Sequence, residues 1–226
     1  MTNVRGSMKF FVFIMIWLPA LALAQNSPAS RNKEEINKIH QDAQTYISML
    51  ENPQRDAEQK PEEVIKSLNI KKGDFIADIG AGSGYFAFRF ARHVGASGRI
   101  YAVDINPDMI LHLNRHIRDT GINNVATVLS EANDPLLSAN SIDLFFVCNT
   151  WHHISDQSRY LTLMRKILKP GGRIVIVDYK KEELPVGPPP DMKMAREEVI
   201  NGMQAAGFRL SREHSFLPYQ YFLEFR

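Results

Sequence analysis

The stretch FIADIGAGSGY, residues 75–85, joins a short apolar run to three glycines that alternate with small residues. The apolar part follows the turn residues Lys72-Gly73-Asp74 and predicts a buried strand that enters a tight loop. Residues 85–94 then carry apolar side chains at helical spacing, so the predicted unit is strand, glycine loop, helix. Because glycine lacks a Cβ atom, such a loop brings backbone N–H groups close to a ligand.

The spacing of the glycines narrows the choice of ligand. The dinucleotide fingerprint has glycines at its first, third and sixth places, whereas here they are Gly80, Gly82 and Gly84, and Tyr85 holds the sixth place. The bulky tyrosine argues against a nicotinamide dinucleotide. Asp104 ends the next apolar run, twenty residues after Gly84, and is placed to accept hydrogen bonds from a ribose diol. Together these residues predict a nucleoside-containing cofactor without a phosphate requirement.

These motifs resemble those of the class I S-adenosylmethionine-dependent methyltransferases. Residues 78–85 match the family's first motif, Val103-Asp104 its acidic second-strand motif, and residues 168–173 the turn into its fifth strand. The resemblance covers roughly Pro61 to the C-terminus. It implies S-adenosyl-L-methionine as cofactor and a Rossmann-like α/β fold, with a doubly wound, mostly parallel seven-stranded sheet and a C-terminal antiparallel hairpin.

The resemblance also assigns roles to residues at the strand ends. Gly80 to Gly84 would line the methionine moiety, and Asp78 would orient the loop or the cofactor's amino group. Asp104 would take the ribose hydroxyls, Ile105 would stack on adenine, and Glu131 would contact the adenine amino group. The full set of expected cofactor-binding residues is Asp78, Gly80, Ala81, Gly82, Gly84, Tyr85, Asp104, Ile105, Glu131 and Asn149.

Two adjacent histidines, His152 and His153, follow the predicted fourth strand and are the candidate catalytic residues. A metal site is a weak interpretation because adjacent side chains diverge and the sequence places no third ligand. A neutral imidazole can instead take a proton from an acidic nucleophile near the methyl group. The alternative is structural, with the pair capping a helix that begins near Ser155-Asp156. Methyl transfer needs mainly an in-line approach, so positioning without a base can also suffice.

Composition and charge limit the classes of protein to which the chain can belong. The chain has 226 residues, of which 44% are hydrophobic and 23% charged, as expected for one globular domain with a short extension. The net charge is only +2 and the basic residues are scattered, which argues against a nucleic-acid partner. The single cysteine, Cys148, lies in an apolar run and predicts a buried free thiol; it excludes an intrachain disulfide and a cysteine-based metal site.

The N-terminus has the order of a secretory signal. Arg5 and Lys9 precede the apolar run 10–24, which ends in Ala22-Leu23-Ala24. We predict cleavage after Ala24 and an exported, periplasmic domain, which requires that cofactor reach that compartment. The alternative is an uncleaved membrane anchor, although the run is shorter than the roughly 20 residues that span a bilayer. Any membrane contact is expected only through this segment.

The chain divides into a signal (1–24), a linker with an N-terminal helix (25–60) and a methyltransferase domain (61–226). Tyr46 and residues 55–60 are expected near the pocket mouth, with a surface connector as the alternative. We predict strands at 75–79, 99–104, 125–129, 142–148 and 172–178, helices at 32–50, 62–68, 84–94, 107–119, 156–168 and 195–206, and an antiparallel pair at 209–216 and 220–225.

The methyl acceptor is expected to be a small-molecule or lipid-like compound, chosen by the N-terminal helices and the proline-rich loop 180–194. A methyltransferase for nucleic acids or proteins is disfavoured by the scattered charge and the leader. Residues 149–152 also lack the Asn-Pro-Pro-aromatic run that the resemblance would require for methylation of base amino groups. A different class remains as the alternative, namely a cofactor-binding or interaction protein that has lost catalysis.

Overall fold

The computed structural model describes Met1 and residues 42–226. The predicted signal beyond Met1, the linker 25–31 and residues 32–41 of the predicted helix 32–50 lie outside the described residues, so cleavage and export stay predictions. Within the described part of the chain, no helix is long and apolar enough to cross a membrane.

A single seven-stranded sheet organises the described residues. Its order is β3-β2-β1-β4-β5-β7-β6, with parallel pairs from β3 to β5 and antiparallel pairs between β5, β7 and β6. The predicted fold class is therefore confirmed. The strands are β1 (Phe75–Ile79), β2 (Arg99–Asp104), β3 (Val125–Leu129), β4 (Ile142–Cys148), β5 (Leu168–Tyr179), β6 (Leu210–His214) and β7 (Gln220–Phe225).

Helices cover both faces of the sheet. Residues of α3, α4 and α5 pack in one buried cluster with β1 and β4, and residues of α6 and α7 pack in the other. The helices are α1 (Ala43–Leu50), α2 (Arg55–Gln59), α3 (Pro61–Ser67), α4 (Ala87–Val94), α5 (Pro107–Thr120), α6 (Gln157–Ile167) and α7 (Arg196–Ala205). Short 3₁₀ turns occur at Trp151–His153 and Pro190–Met192.

Several boundaries differ from the sequence prediction. The helix predicted from residue 84 begins at Ala87, because the amide of Gly84 bonds the carbonyl of Ala81 and closes a turn first. Strand β5 begins at Leu168 rather than at 172, since Leu168 already pairs with Ile142 before an irregularity in register. The short helix α2 was not predicted, because its sequence, Arg-Asp-Ala-Glu-Gln, has no apolar periodicity.

Candidate active site

A cavity of about 310 Å³ opens at the C-terminal ends of β1 and β4. Four parts of the chain wall it: the glycine loop after β1, the segment 46–58 that includes most of α2, residues 148–153 at the end of β4, and the loop after β5. Of the predicted site residues, those that line it are Asp78, Gly80, Ala81, Gly82, Tyr85, Asn149, His152 and His153. Gly84, Asp104, Ile105 and Glu131 are not part of its wall.

Two glycines of the loop have backbone angles and neighbours that require glycine. Gly80 has φ +71, and a Cβ atom there would lie 2.3 Å from Oγ1 of Thr150. Gly82 has φ +55, and its Cβ would lie 2.8 Å from Cδ1 of Leu50 in α1. The loop therefore lets its own backbone, rather than side chains, face the cavity and the N-terminal helix.

Asp78, the last polar residue of β1, is a buried carboxyl group on the cavity wall. Burial raises its pKa to about 7, and the negative charge of Asp104 adds to the effect. A hydrogen bond from the backbone of Ala87 and the positive charge of Arg55 act in the opposite direction. The site therefore holds a carboxyl group whose ionisation would be favoured by a cationic ligand.

Asp104 ties the end of β2 to the glycine loop. Its Oδ2 accepts a hydrogen bond from the amide of Gly82 at 2.8 Å, and its Oδ1 accepts one from the amide of Asn106 at 2.9 Å. Its side chain is buried, and burial raises its pKa while the backbone hydrogen bonds lower it. Burial raises the pKa of Tyr46 in α1, and the negative charge of Asp104 adds to this rise.

The residues predicted for the adenine lie apart from the cavity. Ile105 is 61% exposed, and Glu131 is an exposed residue in a small backbone bridge with Asp134. Helix α1 lies between solvent and the loop here, with Leu50 against Gly82. The cavity therefore contains the predicted methionine side of the site, and the roles assigned to Asp104, Ile105 and Glu131 stay predictions.

His152 makes the most specific side-chain contact at the site. Its Nδ1 lies 2.9 Å from both carboxylate oxygens of Asp178, the penultimate residue of β5. Both side chains are almost wholly buried, at 4% and 1% exposure. The backbone amide of His152 also donates to Asp178 at 3.3 Å, and the ring of His153 lies 4.1 Å from that of His152.

The capping role considered for the histidines is wrong. They form a 3₁₀ turn with Trp151, and helix α6 begins later, at Gln157. Asp156 caps it instead, accepting a hydrogen bond from the amide of Arg159 at 3.0 Å. No group of three or more His, Cys, Asp or Glu side chains within residues 42–226 is arranged to hold a metal ion.

Residues 70–214 match a family described as a methyltransferase domain. The chain belongs to this methyltransferase family. A crystal structure of an S-adenosylmethionine-dependent methyltransferase from Aquifex aeolicus superposes with a TM-score of 0.77 and 30% identity, over 80% of this chain and 96% of that one. The predicted enzyme class, S-adenosylmethionine-dependent methyltransferase, and its cofactor are thus confirmed, whereas the predicted boundary at residue 61 stays a prediction.

The methyltransferase also resembles curated relatives over part of its length. It is 32% identical over 118 residues to the ubiquinone/menaquinone biosynthesis C-methyltransferase UbiE of Idiomarina loihiensis, which is 52% of this chain and 47% of the relative. The protein of that name from Cellvibrio japonicus is 30% identical over the same length. The chain spans about half the length of the curated relatives it matches.

The cavity of the methyltransferase suits the amino-acid end of its cofactor. Asn149 follows β4 with φ +54, and its side-chain Oδ1 is buried without a hydrogen-bond partner among the described residues. An unpaired buried acceptor is costly unless a ligand donates to it. Together with the carboxyl group of Asp78 and the bare loop at Gly80, it fits a ligand that carries an ammonium group.

Sequence reasoning missed two residues at the methyltransferase site, Asp178 behind its wall and Tyr179 on it. Asp178 was treated only as part of a strand, although β4 and β5 are neighbours and their C-terminal ends share one edge. Tyr179 lines the cavity, and so do Tyr46 and Arg55, which agrees with the expectation that Tyr46 and the segment beginning at residue 55 lie near the pocket mouth. Cys148, predicted to be buried, is half-buried on the cavity wall, with its Sγ 3.5 Å from Oε1 of Gln59. Burial still raises the pKa of its thiol.

Proposed function

We propose that this protein transfers the methyl group of S-adenosylmethionine to a small-molecule acceptor that must first lose a proton, with His152 as the base. The observation that carries the proposal is the buried pair of His152 and Asp178, in which His152 lines the same cavity as the glycine loop and Asp178 lies behind it. A carboxylate that orients an imidazole is a recurrent arrangement for general-base catalysis.

The hydrogen bond fixes how the imidazole is used. Because ionised Asp178 only accepts, Nδ1 of His152 carries the hydrogen, and in the neutral ring Nε2 is left as the proton acceptor. Tyr179 and His153 line the same cavity. The acceptor would therefore approach from the side of the cavity that these residues share.

The acceptor class follows from the cavity walls and the relatives. Met49, Val186 and Met192 supply apolar surface, and Tyr46 and Tyr179 supply aromatic surface, which suits a planar apolar ring. The curated relatives are named C-methyltransferases of quinone biosynthesis. We therefore propose a hydroxylated aromatic acceptor that is methylated on carbon.

The proposed reaction transfers the methyl group to a ring carbon of the acceptor. His152 takes the hydroxyl proton, and the negative charge spreads onto a ring carbon of the acceptor. That carbon attacks the methyl group in line with the sulfur, so that a carbon–carbon bond forms while the carbon–sulfur bond breaks. The attacked carbon would then lose its hydrogen as a proton, and His152 would return the first proton to the ring oxygen, so that one proton and one S-adenosylhomocysteine are released for each methyl group transferred. The cofactor supplies the electrophilic methyl group, and the protein supplies orientation and the base.

The test is methyl transfer from isotopically labelled S-adenosylmethionine to a panel of hydroxylated aromatics of increasing size, each paired with its dimethyl ether as a control. We expect label in the hydroxylated compounds only. His152→Gln should lower kcat by about 100-fold or more, and His153→Gln by much less. Binding of S-adenosylhomocysteine without any transfer would instead support the inactive binding protein, and an unchanged kcat in His152→Gln would remove its role as base.

A further inference from the structure

Arg55 places a positive charge on the wall of the cavity. It belongs to α2, in the segment 46–58 that closes one side of the site. Its guanidinium carbon lies 4.3 Å from the centre of the Tyr85 ring, so the stacked ring holds the group in place. One nitrogen, Nη1, donates to the backbone carbonyl of Leu50.

The remaining donors of Arg55 have no anionic partner among residues 42–226. A guanidinium carries five N–H donors in a planar fork that matches a carboxylate. Within the described part of the chain, no carboxylate lies at ion-pairing distance from it, whereas its neighbour Arg89 pairs with Asp56 and Glu62. Arg89 lies 4.2 Å from the same tyrosine ring but is not part of the cavity wall.

The charges on the cavity wall complement an amino-acid group. Two acids line the cavity, Asp78 and Glu58, and burial raises the pKa of each while the positive charge of Arg55 acts against that rise. A ligand with an ammonium and a carboxylate needs one partner of each sign. Asp78 and Arg55, which both line the cavity, meet this requirement.

We propose that Arg55 binds a carboxylate group in this cavity. The inference rests on the proposed function, and two molecules of the reaction can bring the group: the cofactor, through its methionine end, or an acidic acceptor. In either case the bidentate fork would fix the orientation of that molecule relative to His152.

Calorimetry on protein purified from expression of the full chain distinguishes the two sources. S-adenosylhomocysteine and 5′-methylthioadenosine share the nucleoside and the sulfur, but only the first has a carboxylate. In the presence of S-adenosylhomocysteine, 2,5-dihydroxybenzoate and 1,4-dihydroxybenzene form the matching pair for the acceptor. Arg55→Met removes the fork, Arg55→Lys keeps a charge without it, and Arg89→Met is the control on the same ring.

If the cofactor supplies the carboxylate, Arg55→Met should weaken the binding of S-adenosylhomocysteine by about ten-fold or more and leave the binding of 5′-methylthioadenosine unchanged. If the acceptor supplies the carboxylate, the binding of S-adenosylhomocysteine should be unchanged, and the variant should lose the preference for 2,5-dihydroxybenzoate over 1,4-dihydroxybenzene. In both cases Arg55→Lys should be intermediate and Arg89→Met should match the wild type.

Two results overturn the inference while the proposed function stands. In the first, Arg55→Met binds all four compounds as the wild type does. In the second, Arg55→Met weakens the binding of S-adenosylhomocysteine and of 5′-methylthioadenosine equally, which would indicate a general disturbance of the pocket. A wild-type protein that binds no S-adenosylhomocysteine would overturn the proposed function itself, and the inference with it.

Discussion

The carboxylate of Asp104 accepts a hydrogen bond from the backbone amide of Gly82, with the two atoms 2.8 Å apart. This contact joins the end of β2 to the glycine loop that follows β1, across two neighbouring strands. The residue expected to bind ribose hydroxyls therefore also holds the loop in shape. Its side chain has two oxygens, and the second one already accepts from the amide of Asn106.

Replacing Asp104 by alanine should therefore weaken the binding of the cofactor in two ways. The variant loses an acceptor for the ribose hydroxyls and frees the amide of Gly82. We expect the Kd of S-adenosylhomocysteine to rise ten-fold or more, because each hydrogen bond to a charged group contributes about 1.5 to 3 kcal/mol. Calorimetry measures this, with exposed Asp108→Ala as the control for charge. An unchanged Kd in Asp104→Ala would contradict the ribose role.

Asp78 should make the stability of the protein depend on pH. Its pKa is about 7 in the folded protein against 3.8 as the usual value. Below the usual value the group is protonated in both states, so folding is unaffected. As pH rises toward 7 the unfolded chain ionises and the folded one does not, so stability falls and then levels off above about 7. The full difference corresponds to about 4 kcal/mol as an upper limit.

Asp78→Asn removes this dependence because the amide is neutral throughout. Urea unfolding of both proteins without cofactor, at several pH values between 4 and 8, should show the variant gaining on the wild type as pH rises. The comparison of the two proteins cancels the titrating groups that do not interact with Asp78, but not Asp104, whose charge contributes to the raised pKa of Asp78. A constant difference across the range would contradict the raised pKa.

Asp178→Asn tests whether the carboxylate positions His152. We expect kcat to fall by about 100-fold while the Kd of S-adenosylhomocysteine changes less than two-fold, because Asp178 is not part of the cavity wall. Nitrogen NMR of the histidine should show the hydrogen shared between Nδ1 and Nε2 instead of held on Nδ1. Asp156→Asn, the same chemical change at the cap of α6, is the control. An unaltered tautomer in Asp178→Asn would reject the positioning role.

The sheet could be predicted because each strand corresponds to a local pattern of apolar residues in the sequence. Short apolar runs such as Phe75–Ile79 and Ile142–Cys148 end in turn residues, and the structure places strands on those residues. The glycine loop was predictable for the same reason, since alternating glycines leave few other conformations. Local pattern is enough where burial of a continuous apolar run decides the structure.

The chemistry of the site was less predictable because it depends on pairs that are distant in the chain. Asp178 and His152 are 26 residues apart and meet only because β5 lies beside β4. Arg55 belongs to a polar segment with no periodicity, and its place is set by stacking on Tyr85. Such contacts follow from the assembled sheet and its covering segment, not from the neighbouring sequence.

The predicted export of the protein rests on residues 5–24 alone. A basic start, an apolar run and the small residues Ala22 and Ala24 favour recognition by the secretory machinery and cleavage before Gln25. When the full chain is expressed in a bacterium, we expect a periplasmic protein whose intact mass begins at Gln25. Ala22→Lys should block cleavage, and Leu21→Ile should not. A cytoplasmic protein of full-length mass would contradict export, and a membrane-bound one of full-length mass would favour the anchor.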